Sequence, residues 1–246
     1  MNRPLIIAHR GYSAKYPENS LIAFERAIEC ECDMIELDVH LTKDSQVIVA
    51  HDYHLGRTSN GRGAIDSHLL SDLQKLDCGS WFGKEFSNQI MPSLKEVFVK
   101  VDKKVAINIE VKDESLKTPA HHQIMAENIL SLIEESGYRD LVIISSFNER
   151  ILRTLRKLDP TIRLGILDNN PEKHFLIELV REISAYSYHK NHIKLNPGNV
   201  QQMHRAGLKV YPFTANTSRS FEKLCLLNVD GIITNQVEDL KKFLKL

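Results

Sequence analysis

The residues with chemistry to offer fall at the ends of short apolar runs. His9-Arg10-Gly11 follows Leu5-Ile6-Ile7-Ala8, and then come Pro17-Glu18-Asn19, Glu36-x-Asp38, His51-Asp52 and Glu110-x-Lys112. Imidazoles, a guanidinium, an ammonium and several carboxylates are the groups needed to cleave a phosphate ester with a metal ion. His9 and His51 each sit at a strand end beside a charged neighbour, and their near-neutral titration suits one as general base and one as general acid. Arg10 can grip a phosphate with two parallel N–H groups. Gly11 lets the backbone come close, and Lys112 can offset charge developing on phosphoryl oxygens. Glu36, Asp38 and Glu110 are hard oxygen donors that suit Mg²⁺ or Ca²⁺ better than zinc. Glu18 and Asn19 either cap the first helix or support the groups in front of them. No single piece is specific; the ordered set is.

Strand periodicity places these groups. Ile35, Leu37 and Val39 alternate with Glu36, Asp38 and His40, and Val105, Ile107, Ile109 and Val111 alternate with Asn108, Glu110 and Lys112. Side chains two apart share a face. In a barrel, the apolar sets would meet outer helices and the polar sets would point inward, where several carboxylates are tolerable if they share a cation. A layer of internal salt bridges with Arg10 and Lys112 is the competing reading of either strand alone. The chain has 11 histidines. His40, His54, His68, His121, His122, His174, His189, His192 and His204 lack the setting of His9 and His51 and read as bystanders.

Eight strand-like runs are expected: Leu5–Ala8, Met34–Val39, Val105–Val111, Leu141–Ser145, Ile162–Leu167, Ser184–Tyr188, Lys209–Phe213 and Gly231–Thr234. Helical patterns follow them at about Ser20–Glu31, Ser93–Val101, Ala120–Ser136, Glu149–Leu158, Pro171–Ile183, Asn199–Arg205, Ser218–Leu226 and Val237–Leu244. Asn148 and Asn170-Pro171 read as helix starts, and Gly137 and Gly207 as helix stops. The count predicts an α/β (β/α)₈ barrel, with an open doubly wound sheet as the alternative. A long insertion, roughly 42–92, carries an extra strand-like run, Gln46–His51, and a turn-rich piece, 58–63. It reads as an excursion on the carboxyl-end face, where loops carry function. One domain over 1–246 is expected.

Bulk properties narrow the field. Basic and acidic residues balance at 32 each, so no global field favours nucleic acid or an acidic membrane. The apolar run before His9 is too short for a signal core or a membrane span, so the expectation is a cytoplasmic protein with no stable membrane anchor. The four cysteines form no C-x-x-C pair and read as structural thiols.

These motifs, in this order, resemble the glycerophosphodiester phosphodiesterase family, bacterial cytoplasmic type. The resemblance covers nearly the whole chain through AHRGYSAKYPENSLIAFERAIE, DMIELDVHLTKDSQVIVAHD, LDCGSWFGKEF, MPSLKEV, NIEVK, SSFNE and NVDGIITN. It implies a (β/α)₈ barrel, a divalent cation, and hydrolysis of glycerophosphodiesters to an alcohol and sn-glycerol 3-phosphate. It implies paired catalytic roles for His9 and His51, phosphate binding by Arg10, metal binding by Glu36, Asp38 and Glu110, and a match for Lys112. Trp81, in the insertion, becomes a candidate wall for the glycerol or the alcohol, against an ordinary role as packing anchor. Two departures stand out. Phe213-Thr214 replaces the family's Trp-Thr, keeping an aromatic surface for substrate but losing the indole donor. Asn235 replaces a common aspartate after the last strand; the expectation is that neither change touches the metal or acid–base groups. A lysophospholipase D-like activity at the same site, and a non-catalytic phosphodiester-binding protein, are the alternatives.

Overall fold

In the computed structural model, which describes residues 3–168 and 173–246, aliphatic strands alternate with amphipathic helices. The strands are β1 (Leu5–His9), β2 (Met34–Leu41), β3 (Val47–Val49), β4 (Ala106–Val111), β5 (Val142–Ser146), β6 (Leu164–Asp168), β7 (Ser187–Lys190), β8 (Lys209–Val210) and β9 (Gly231–Thr234). The helices are α1 (Leu21–Glu29), α2 (Leu70–Leu73), α3 (Leu94–Val101), α4 (Pro119–Ser136), α5 (Glu149–Leu158), α6 (Lys173–Glu182), α7 (Pro197–Arg205), α8 (Ser218–Leu226) and α9 (Val237–Phe243).

Eight of the strands run parallel in the order β8-β7-β6-β5-β4-β2-β1-β9. The two ends of this row meet. Asp230 N–H donates to the Val210 carbonyl at 3.1 Å, Ile233 N–H to Pro212 at 3.0 Å and Ala215 N–H to Ile233 at 3.0 Å, which brings the row nearly to a closed (β/α)₈ barrel. Predicted strand 209–213 shortens to Lys209–Val210 because Pro212 has no N–H for the ladder, although Tyr211 and Phe213 still donate to Tyr188 and Lys190. β3 is antiparallel to β2, so the insertion begins as a hairpin off the second strand, with Val39 opposite Val49.

The local signals act as expected of their chemistry. Ser20, Ser93, Thr118, Asn148, Asn196 and Thr217 cap their helices through side-chain oxygens. Gly137 ends α4 in the left-handed region and Gly207 follows α7 there, with φ of 66° and 81°. The predicted cap at Asn170-Pro171 lies outside the described residues.

Ile35, Leu37, Val39, Ile107, Ile109 and Val111 are fully shielded in the main core with helix residues such as Leu94, Val97 and Ile129. The barrel's lower interior is plugged by Ile7, Met34, Ile143, Tyr211 and Ile233. Above that plug the interior turns polar: Asn108 Nδ2 donates to Ser145 Oγ at 3.0 Å, and Ser187 Oγ meets His189 Nε2 at 2.8 Å. The plug supports a polar mouth at the carboxyl ends of the strands.

Candidate active site

Register brings the carboxylates together. In the parallel β1–β2–β4 ladder His9 pairs with Glu36, Glu36 with Asn108, and Asp38 with Glu110. Alternation keeps these side chains on the inner face. Carboxylate oxygens of Glu36, Asp38 and Glu110 all lie within 4.8 Å of one another, and His9 Nε2 is 3.9 Å from Glu36 Oε2.

The turn after β1 delivers Arg10. Arg10 and Asn19 both sit in the left-handed region, with φ of 55° and 57°, and Asn19 N–H donates to the Arg10 carbonyl at 3.0 Å. Gly11, at φ 79°, lies so close to α1 that an added Cβ would fall 2.7 Å from the Ala23 carbonyl carbon. Arg10 N–H donates to Glu36 at 2.9 Å, while its guanidinium meets Glu18 at 2.8 Å and Asp38 at 3.3 Å. Asn19 does more than start a helix: Nδ2 donates to Asp38 Oδ2 at 2.9 Å, and the cap itself is Ser20. Lys112 Nζ is 2.9 Å from Glu110 and 3.8 Å from Asp38.

Burial sets the electrostatics. Burial and the neighbouring carboxylates of Asp38 and Glu110 push the Glu36 carboxyl well above its usual range. Burial, with Asp38, pushes Glu110 up to about 7 against the opposing pull of Lys112. Burial acts on Asp38 in the same direction, but Arg10, Lys112 and His51 outweigh it and hold that carboxyl low. Glu36 Oε1 is buried without a hydrogen-bond partner. Clustered hard oxygens, two of them resisting ionisation and one unpartnered, could hold a metal ion.

The two histidines have different backing. His9 Nδ1 is 2.6 Å from Asn235 Oδ1, a carbonyl oxygen that can only accept, so Nδ1 carries the proton and Nε2 faces the carboxylates bare. Burial, aided by Arg10, lowers His9 to about 4. His51, just past β3, has Nδ1 2.6 Å from Asp52 Oδ1. Burial pushes Asp52 upward, but hydrogen bonds from Arg57 and His51 prevail and hold it at about 2.

Asn235 therefore overturns one expectation: the departure after the last strand touches His9, a predicted acid–base residue, directly, because β9 neighbours β1 and delivers residue 235 beside it. His40 is likewise no bystander. It is fully buried on the inner face of β2, and Nε2 reaches the His51 carbonyl at 3.1 Å. The alternation that singled out Glu36 and Asp38 carried that signal too. Arg57 went unmarked in the insertion; it bonds both Asp52 and Glu18.

The aromatic candidates separate. Trp81 Nε1 donates to the Cys78 carbonyl at 3.0 Å and the ring packs edge-on against Phe82, as an anchor within the insertion would. Phe213 packs edge-on against Phe147 from the loop after β5, their centroids 6.1 Å apart. All four cysteines are free. No helix among the described residues is long and apolar enough to cross a membrane.

A parallel barrel with its titratable groups gathered at the carboxyl ends of the strands defines a (β/α)₈-barrel enzyme. Residues 9–239 match the glycerophosphoryl diester phosphodiesterase family model. The chain belongs to that family, and it is a hydrolase of glycerophosphodiesters. It is 37% identical over 242 residues to a glycerophosphodiester phosphodiesterase of Caldanaerobacter subterraneus subsp. tengcongensis, covering 97% of this chain and 96% of that one. It is 34% identical to a glycerophosphodiester phosphodiesterase of Bacillus altitudinis, covering 94% of each. Among solved structures, an Oleispira antarctica phosphodiesterase in complex with the product sn-glycerol-3-phosphate superposes with a TM-score of 0.91 at 26% identity, covering 99% of this chain and 97% of that one. The Thermotoga maritima glycerophosphodiester phosphodiesterase gives 0.80 at 29% identity, covering 98% and 99%.

Proposed function

We propose that the chain hydrolyses glycerophosphodiesters to an alcohol and sn-glycerol 3-phosphate by paired histidine acid–base catalysis, with Mg²⁺ or Ca²⁺ held by Glu36, Asp38 and Glu110. The observation that carries this reading is the gathering of those carboxylates beside His9 and Arg10 in one inner-face register. Bound there, the cation supplies positive charge to the phosphoryl oxygens. Arg10, braced by Glu18, grips a phosphoryl oxygen, and Lys112 offsets the charge that develops as the phosphorus becomes five-coordinate. Asn19 fixes Asp38. Phe213 and Trp81 supply apolar surface at the mouth.

The hydrogen-bond partners give the histidines a direction. His9, backed by a neutral amide, is favoured as free base; it takes a proton at Nε2 from the nucleophile. His51, whose Nδ1 is held by the Asp52 carboxylate, gives its Nε2 proton to the departing alkoxide. A bond from nucleophile oxygen to phosphorus forms, the bond from phosphorus to alcohol oxygen breaks, the proton on His9 returns to solvent, and His51 regains one from solvent.

The Oleispira relative's bound product, sn-glycerol-3-phosphate, supports a small-molecule substrate of the same kind here. A coupled assay for glycerol 3-phosphate across headgroups, with EDTA and metal add-back, tests activity, cofactor and selectivity. His9→Ala and His51→Ala are each expected to lose about 10²- to 10⁴-fold in turnover while remaining folded. Near-normal turnover in either removes that residue from its role. Faster turnover of lysophosphatidylcholine than of glycerophosphocholine would favour the lysophospholipase D-like alternative instead. Accumulation of a cyclic phosphate by phosphorus NMR would identify the glycerol 2-hydroxyl, rather than water, as nucleophile.

A further inference from the structure

We propose that Arg57, in the insertion, is a positioning residue that locks the His51 side of the site to the Arg10 side. Its Nε donates to Asp52 Oδ2 at 2.5 Å and its Nη2 to Asp52 Oδ1 at 3.2 Å. Its Nη1 and Nη2 donate to Glu18 at 2.9 and 2.7 Å. A guanidinium has five N–H donors, so these four bonds leave little to offer a substrate phosphate. Asp52 in turn holds His51 Nδ1 at 2.6 Å, and Glu18 holds the Arg10 guanidinium at 2.8 Å. One planar cation thus ties together the carboxylate partners of two groups from separate elements.

The tie is needed because the two groups are carried differently. Arg10 is fixed by the turn after β1, whose backbone bonds to Glu36 and Asn19. His51 lies beyond the three-residue strand β3, at the start of the excursion. Its backbone is held to β2, through the Ala50 N–H bond to the Asp38 carbonyl at 3.0 Å and His40 Nε2 at 3.1 Å from the His51 carbonyl, which leaves the direction of the imidazole to be set. The Arg57 fork fixes that direction through Asp52 with rigid, two-sided geometry, which a lysine ammonium cannot reproduce. The base of the loop does not depend on Arg57: Leu55 N–H donates to the Gly63 carbonyl at 2.9 Å and Ile65 N–H to Tyr53 at 2.9 Å. Arg57 is half-exposed, so its removal opens no core cavity.

This inference rests on the acid–base role of His51 proposed above. The experiment compares wild type, Arg57→Ala, Arg57→Lys, Asp52→Asn and His51→Ala by turnover of glycerophosphocholine, thermal melting, and NMR of the His51 imidazole Nδ1–H in ¹⁵N-histidine-labelled protein. Arg57→Ala is expected to lower kcat about 10- to 100-fold, as a displacement near 1 Å does, with KM and Tm close to wild type. Its His51 Nδ1–H signal should broaden or vanish as in Asp52→Asn. Arg57→Lys should recover little of either. An unchanged His51 signal in Arg57→Ala overturns the proposal whatever the turnover, as does kcat within twofold of wild type. If Arg57→Ala does not fold, the same criteria apply to Arg57→Lys. Should His51→Ala retain turnover, the acid–base reading fails by itself, and the Arg57 bridge is judged on the Nδ1–H signal alone.

Discussion

Binding of a divalent cation should release protons, because the three carboxylates do not share a full negative charge comfortably without one. Glu110 is raised from an ordinary 4.5 to about 7 by burial and by Asp38, and Glu36 is raised as well. A carboxyl near 7 is roughly nine-tenths protonated at pH 6, and metal ligands bind deprotonated. Each ion bound at pH 6 should therefore expel close to one proton from Glu110 and a further share from Glu36. Affinity should climb by about tenfold or more per pH unit below 7. The same shift governs stability in the metal-free protein. A carboxyl whose titration is raised on folding contributes stability that is present below 4.5 and lost as pH rises through about 7. The shift in Glu110, from 4.5 to about 7, corresponds to roughly 3–4 kcal/mol at about 1.4 kcal/mol per pH unit, or on the order of 7–14 °C in Tm for a chain of this length. Titration calorimetry with Mg²⁺ or Ca²⁺ in two buffers of different ionisation enthalpy counts the protons; melting with EDTA or with saturating metal, from pH 5 to 8, follows the stability. The gain in Tm on adding metal should grow with pH. No proton release at pH 6, together with a metal-induced gain equal at pH 6 and 8, would refute this account of the carboxylate cluster.

Two further outcomes follow from the geometry around His9. Gly11→Ala forces a side chain into the left-handed region and against the Ala23 backbone; strain and overpacking together should cost about 2–5 kcal/mol by urea unfolding, and the displaced turn should lower turnover. A loss under 1 kcal/mol with normal kcat would show that the turn yields freely. Asn235→Asp replaces the neutral partner of His9 with a carboxylate at the same 2.6 Å position. An opposite charge so close should raise His9 by about 1–3 units from its lowered value, moving the acidic limb of the kcat/KM profile to higher pH. Movement of the alkaline limb instead would make His9 the acid, and no movement of either would detach His9 from the profile.

Much of this site was legible in the residues themselves. Alternation in β2 and β4 separates Glu36, Asp38, Asn108 and Glu110 from the aliphatic residues between them, since a strand turns its side chains over at every step. Helix starts at Ser93 and Asn148 and stops at Gly137 and Gly207 are equally local, set by hydrogen bonds and φ values a few residues long. Even His40 was within reach of that reasoning, one step beyond Asp38 on the same face. Trp81 was readable there as either a packing anchor or a substrate wall, and its N–H bond to the Cys78 carbonyl three residues away is a contact of the anchoring kind.

Sequence by itself determined which faces are apolar, which groups could hold a cation, and the order in which they reach the mouth. Those properties depend on neighbours close along the chain. Tertiary structure alone decided the distant partners. His9 finds Asn235 across a separation of 226 residues, and Arg57 finds Glu18 across 39. Such contacts arise because the strand row curls until β9 lies beside β1, and because the excursion from β2 folds back over the first turn. No periodicity records either closure. It is the three-dimensional return of the chain that gives His9 its amide, and that ties Arg57, the partner of Asp52 beside His51, to Glu18.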